Sequence, residues 1–139
     1  MYQRILVALK GDGTDEAILL EVAGLAGVLG ATLVLARVTH THSRDASGYL
    51  REEGLAYLGA RALELRRQGL GVEVMVREGE PWEEICGLAE NGSIDLLLMG
   101  KHHHSEVRDL MAGSETERVI RSSPVSVLLV GPAAAKLRH

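Results

Sequence analysis

The sequence predicts an α/β fold: an open, five-stranded parallel sheet with helices on both faces. Three observations predict it. Five short apolar runs alternate along the chain with segments of helical periodicity, and strands separated by helices become parallel neighbours joined by right-handed crossovers. The runs are mostly apolar throughout, as strands buried on both faces are. Helix punctuation falls between them: Gly30 past the end of the first helical segment, Pro81 at the start of the third, and Ser114 with Glu117 as a capping box opening the fourth.

In order, Gln3 to Leu9 reads as the first strand. Asp15 to Leu29 reads as a helix, with Asp12 or Thr14 as N-cap. Its Gly24 and Gly27 lower helix propensity and are expected where the helix packs closely on the sheet. Thr32 to Val38 is the second strand, and Thr39 to Gly48 a polar loop. Leu50 to Arg67 is a long helix with Leu55, Leu58, Ala62 and Leu65 on one face, ended by Gly69 and Gly71. Val72 to Arg77 is the third strand. The helix that Pro81 opens has Glu83 and Glu84 in its favourable first turn, buries Trp82, Ile85, Cys86 and Ala89, and stops at Asn91 and Gly92. Ile94 to Met99 is the fourth strand, Ser114 to about Arg121 a helix, and Val125 to Val130 the last strand. The 139 residues suit a single domain over 1–139, with 131–139 a loose tail.

Composition narrows the function classes. Hydrophobic residues make up 46% of the chain, enough for a core, but aromatics only 3%, with no Phe. The core is therefore built from Leu, Val, Ile and Ala. A net charge of −4 opposes binding to a nucleic-acid backbone, and one Trp with three Tyr supplies no base-stacking platform. The single cysteine, Cys86, allows no internal disulfide and suits a reducing cytoplasm. The amino-terminal residues form a strand pattern with no signal peptide, and no apolar run reaches the roughly 20 residues of a membrane span. No G-x-x-x-x-G-K-[ST] or G-x-S-x-G motif is present.

In an open parallel sheet, ligands bind at the carboxyl ends of the strands, where strand order reverses. That rim collects residues 10–13, 39–48, 78–79 and 100–113. The last segment is the most informative. An apolar strand runs into Gly100, and Gly113 with Ser114 opens a helix, so free backbone N–H groups and a positive dipole end can hold an anion such as phosphate. Lys10 reads either as a solvated loop lysine or as a point charge that reaches into the crevice and pairs with a phosphate. His40, His42, His102, His103 and His104 lie on the same rim. Consecutive histidines on one loop seldom converge on one ion, so they read as polar loop rather than as a metal site.

Gly100-x2-His103-x9-Gly113-Ser114, followed by the runs 117–121 and 123–130, resembles the universal stress protein family, as does the opening run from Ile5 to Gly11. The likeness extends over nearly the whole chain. It implies strand order 3-2-1-4-5, a Rossmann-like sheet of the adenine nucleotide alpha hydrolase-like type, and an adenine-nucleotide site between strands 1 and 4. The residues it points to are Leu9, Lys10, Gly11, Val38, Gly100, His102, His103, Gly113, Ser114 and Glu115. Val38 would meet adenine through its backbone, and Gly100, Gly113, Ser114 and Glu115 would serve ribose and phosphates. The implied ligand is ATP, with Mg, or AMP. The chain departs from the family pattern at two positions: Lys10 replaces an acidic residue that can accept from ribose hydroxyls, and His103 replaces the motif's second glycine.

The functional expectation is a small cytoplasmic stress-response module that binds and signals, with no dedicated catalysis. One alternative is a member that works through protein contacts alone. Another is a slow ATP hydrolase using His102 or Asp12. The last strand should form a sheet edge, and an apolar edge invites pairing with a second copy through Val125, Val127 and Leu129. The family resemblance implies such a homodimer.

Overall fold

A computed structural model describes residues 2–40, 44–100 and 114–131. The elements run β1 (Arg4–Ala8), α1 (Asp15–Leu29), β2 (Thr32–Thr39), α2 (Arg44–Arg67), β3 (Gly71–Glu78), α3 (Pro81–Asn91), β4 (Leu96–Gly100), α4 (Ser114–Ser122) and β5 (Ser126–Val130). The five strands form one parallel sheet in the order β3-β2-β1-β4-β5. Fold class and strand order are as the sequence implied.

Period-two alternation along the strands builds a core on each face of the sheet. Ile5, Val7, Leu33, Leu35, Leu96 and Leu98 pack with Ile18 and Val22 of α1 and Leu58 and Ala62 of α2. Leu6, Val34, Ala36, Leu97 and Met99 pack with Ile85 and Ala89 of α3 and Val119 of α4. This two-sided burial is why β1 and β4 carry almost no polar residue. The amino ends of the strands are tied shut. The Asp95 carboxylate accepts from the N–H of Gln3 (2.8 Å) and Arg4 (3.1 Å), and the Arg4 guanidinium donates to Glu73 (2.6 Å) and to the Gly92 carbonyl (3.0 Å). The carboxyl ends remain for a ligand.

Several expectations require correction. Helix α2 begins at Arg44, not Leu50, so part of the expected polar loop is helical. Further turns add to a helix at little cost once packing at Leu58, Ala62 and Leu65 holds its body. Its buried stripe starts at Gly54 rather than Leu55, which is 37% exposed. A Cβ at Gly54 would lie 3.2 Å from Val76 Cγ2, so glycine is what lets α2 approach β3 there. Gly24 and Gly27 are exposed, and a Cβ at Gly27 meets nothing within 4 Å; the close contact of α1 with the sheet is made by Ala17 and Ala26. Trp82 and Cys86 are half-buried, packed against the core that Ile85 and Ala89 complete. Burial pushes the Cys86 thiol up. Strand β4 starts at Leu96: Asp95 belongs to the tie at the amino end, and Ile94 packs into the core before it. The capping box at Ser114 has its preceding residue, Gly113, outside the described residues.

Gly30 ends α1 in the left-handed region (φ 67°, ψ 29°), its N–H bonded to the Ala26 carbonyl at 2.8 Å. Space around it is open, so Gly30→Ala should cost only the left-handed strain, about 1 kcal/mol. Urea melts of the two proteins, compared at equal slope, measure this.

Candidate functional site

Strand order reverses between β1 and β4, and α1 and α4 pack on opposite faces of the sheet. A cavity of about 260 Å³ opens there. Ala8, Leu9 and Lys10 line it from the end of β1, Val38 from β2, Met99 and Gly100 from β4. Thr14 and Ile18 of α1, Pro81 and Ile85 of α3, and Glu115, Thr116 and Val119 of α4 complete the walls. The crevice is thus mostly apolar, with a few polar groups at its mouth, as small-molecule sites are.

The floor at Val38 has a definite polarity. The Ala36 carbonyl accepts from Leu9 N–H at 2.9 Å, toward β1, whereas the Thr39 carbonyl accepts from Gly79 N–H at 3.0 Å, toward β3. Backbone groups alternate sides along a strand, so Val38 directs its N–H and C=O to the β1 side, one step past Leu9. They face the crevice, where a planar heterocycle could exchange a donor and an acceptor with them.

The loop carrying Lys10 is held from beneath by Asp15, which is 1% exposed. Its carboxylate accepts from Lys10 N–H (2.9 Å), Gly11 N–H (2.7 Å) and the Tyr57 hydroxyl of α2 (2.6 Å). The Tyr57 ring lies between two guanidiniums, Arg37 at 5.7 Å and Arg61 at 5.4 Å from its centroid. Burial, then the bond to Asp15, pushes the Tyr57 phenol far up. Gly11 takes φ +82°, and a Cβ there would come within 2.8 Å of Arg37 Cζ. Gly11 therefore borders the cleft between α1 and α2 rather than the crevice. Asp12 is occupied locally, its carboxylate accepting from Thr14 N–H at 2.9 Å and from the Thr14 hydroxyl. The N-cap position is Thr14, whose own side chain makes no capping bond. Desolvation lowers the Lys10 ammonium, against the pull of Asp12, Asp15 and Glu115.

On the opposite wall, Glu115 accepts from the Trp82 N–H at 3.0 Å, bridging the starts of α3 and α4. Burial first, and then a hydrogen bond with Glu80, push its carboxyl up, against the Trp82 N–H and Arg118. Arg118 lies 5.9 Å over the Trp82 ring.

Of the residues expected at the site, Leu9, Lys10, Val38, Gly100 and Glu115 come together around one cavity. Ser114 is the first residue of α4. His102, His103 and Gly113 lie outside the described residues. Sequence reasoning missed Asp15, which read only as the first residue of a helix, and Tyr57, whose bond to it spans 42 positions. It also missed Glu80 and the apolar walls, Ile18, Ile85, Met99 and Val119, which in sequence are indistinguishable from core. Among the described residues, no three His, Cys, Asp or Glu side chains group as metal ligands, and no helix is long and apolar enough to cross a membrane.

The family model for universal stress proteins matches residues 1–131. The chain belongs to the universal stress protein family. The universal stress protein Slr1230 of Synechocystis is 32% identical over 125 residues, which are 90% of this chain and 41% of Slr1230. The archaeal universal stress protein MJ0577 of Methanocaldococcus jannaschii is 37% identical over 67 residues, 48% of this chain and 41% of that one. The chain thus spans about two fifths of the length of Slr1230. Among solved structures, MJ0577 superposes with a TM-score of 0.82 at 27% identity, covering 94% of this chain and 96% of the other. A universal stress protein in complex with cAMP superposes at 0.77 and 25% identity, covering 93% and 97%. The universal stress proteins thus share with this chain the sheet that forms the crevice.

Proposed function

We propose that the crevice binds an adenine nucleotide, AMP or ATP with Mg, and that this universal stress protein acts as a regulatory module whose surface responds to that ligand. The observation that carries the reading is the cavity at the β1/β4 reversal, walled by Leu9, Lys10, Val38, Gly100 and Glu115. The residues fit such a ligand. The volume, about 260 Å³, is near the lower end for ligand pockets and suits a nucleoside or its monophosphate. Val38 offers backbone groups to the base, the apolar walls cover its faces, and the Lys10 ammonium supplies a charge for phosphate. A family neighbour's complex with cAMP supports the adenine class. His102, His103, Gly113 and Ser114 belong to the same proposal on the sequence spacing.

Isothermal titration of the purified protein with AMP, ADP and Mg-ATP tests this. Saturable binding is expected, and Lys10→Ala should weaken AMP by about tenfold, the loss of one charge-assisted contact. No heat at millimolar ligand would remove the nucleotide reading and leave protein contacts as the remaining function.

The same proposal includes a cytoplasmic homodimer through β5. That strand is an edge, paired with β4 alone in the described chain. Val125, Val127 and Leu129 are half-buried against the α3 and α4 layer, and Leu128 on the other face is 39% exposed. A second β5 would pair the open backbone edge and cover these side chains. Sedimentation equilibrium reads the mass directly.

A further inference from the structure

The crevice wall carries a carboxyl where a nucleotide would bring negative charge. Glu115 lines the cavity and hangs on the Trp82 N–H at 3.0 Å. Glu80, the N-cap of α3, is a second carboxyl beside it at the adjacent helix start, and its charge opposes ionisation of Glu115. Two neighbouring carboxylates repel each other, which favours the protonated form of one of them. Among the described residues, the charged groups facing Glu115 are Lys10 on the loop after β1, Glu80 at the start of α3, and Arg118 on α4 itself. Ionised, Glu115 would compete with a ligand anion for Lys10 and repel it across a poorly solvated space. Protonated, it is neutral and can donate.

We infer that Glu115, backed by Glu80, is the specificity-determining residue of the crevice, selecting ligands by charge and taking up a proton when an anionic nucleotide binds. This rests on the crevice reading above and adds to it a ligand class: adenine ligands of low negative charge over polyphosphates, with anion affinity rising toward acid pH. The direction follows from the group's environment. A carboxyl pushed up by burial and by a carboxyl neighbour becomes neutral at a higher pH than an exposed one does. Protonation there removes the repulsion before ordinary carboxylates titrate.

The test uses two probes whose own charge is constant between pH 5 and 8: adenosine, neutral, and cAMP, a phosphodiester monoanion. Their dissociation constants are measured across that range for the wild type and for Glu115→Gln and Glu80→Gln. In the wild type the affinity of cAMP relative to adenosine should rise by about three- to tenfold from pH 8 to 5, the linkage of up to one proton. Glu115→Gln keeps an acceptor for Trp82 N–H. It should hold the high ratio at every pH, including pH 8, which a merely structural role would not produce. Glu80→Gln should keep the slope but move it to lower pH. If adenosine and cAMP bind with a ratio independent of pH in the wild type, or with an unchanged slope in Glu115→Gln, the inference is overturned and the crevice reading stands. If neither probe binds while AMP does, the inference is overturned and the crevice reading stands; if AMP fails as well, both fall.

Discussion

Replacing Asp15 by alanine is expected to destabilise the protein by about 3 kcal/mol or more. The carboxylate is buried and satisfies three donors, the N–H groups of Lys10 and Gly11 and the Tyr57 hydroxyl. Alanine removes all three acceptor contacts at once. Each donor left without a partner away from water costs about 1–3 kcal/mol, and the backbone donors cannot turn elsewhere without moving the loop. Tyr57→Phe is the milder companion: it takes away one donor and leaves the carboxylate bonded to backbone, so about 1 kcal/mol is expected. Chemical melts of the two variants give both numbers, and a loss of less than 1 kcal/mol for Asp15→Ala would mean that the loop finds other acceptors. The same contact sets an alkaline limit. The Tyr57 phenol is raised above its ordinary 10.0 by burial and by Asp15. A raised pKa favours the protonated form in the folded state, so the associated stability is complete below the unfolded value and is lost as pH climbs above it. Melting temperature should therefore fall above about pH 10, and less steeply in Tyr57→Phe than in the wild type.

Leu98→Ala should cost about 3 kcal/mol, within the roughly 2–5 kcal/mol seen for large-to-small changes in cores. Leu98 is fully buried on β4, in register with Val7 of β1 and Leu128 of β5. It belongs to the cluster that joins the sheet to Ile18 and Val22 of α1. The loss combines the transfer of three carbon atoms with a cavity that two hydrogen-bonded neighbours prevent from closing. For a chain of this size the thermal midpoint should drop by on the order of 10 °C. Calorimetry measures it, and a drop under 3 °C would show that α1 collapses onto the sheet to fill the space.

The two faces of the sheet explain which parts of the chain could be interpreted before folding. Element order and strand type are written locally, whereas the crevice's place at the β1/β4 reversal followed from the strand order that the family resemblance implies. Apolar runs, Gly30 and Pro81 act within a few residues of themselves, and the family spacing from Gly100 to Ser114 adds the topology. The misses are all long-range. Leu55 and Gly54 exchange roles because the stripe of α2 is phased by its contact with Val76, more than 20 residues on. Gly24 and Gly27 looked like contact points because glycine in a helix signals either closeness or tolerance, and only the neighbouring surface tells which. Leu9, Lys10, Val38, Gly100 and Glu115 were each named from the chain; Ile18, Ile85, Met99 and Val119 were not, since an apolar side chain lining a cavity has the same sequence pattern as one filling a core.

Short-range chemistry thus settled the strands, the helices, the family and the rim on which a ligand would sit, since caps, breakers and period-two or period-3.6 patterns act over a handful of residues. Folding alone assigned the charges of that rim. Asp15 became the anchor of the Lys10 loop because Tyr57 reaches it from 42 positions away. Glu115 met Trp82 across 33 positions and Glu80 beside it. Electrostatic and hydrogen-bond partners are chosen by distance in space, and no periodicity along the chain encodes that distance.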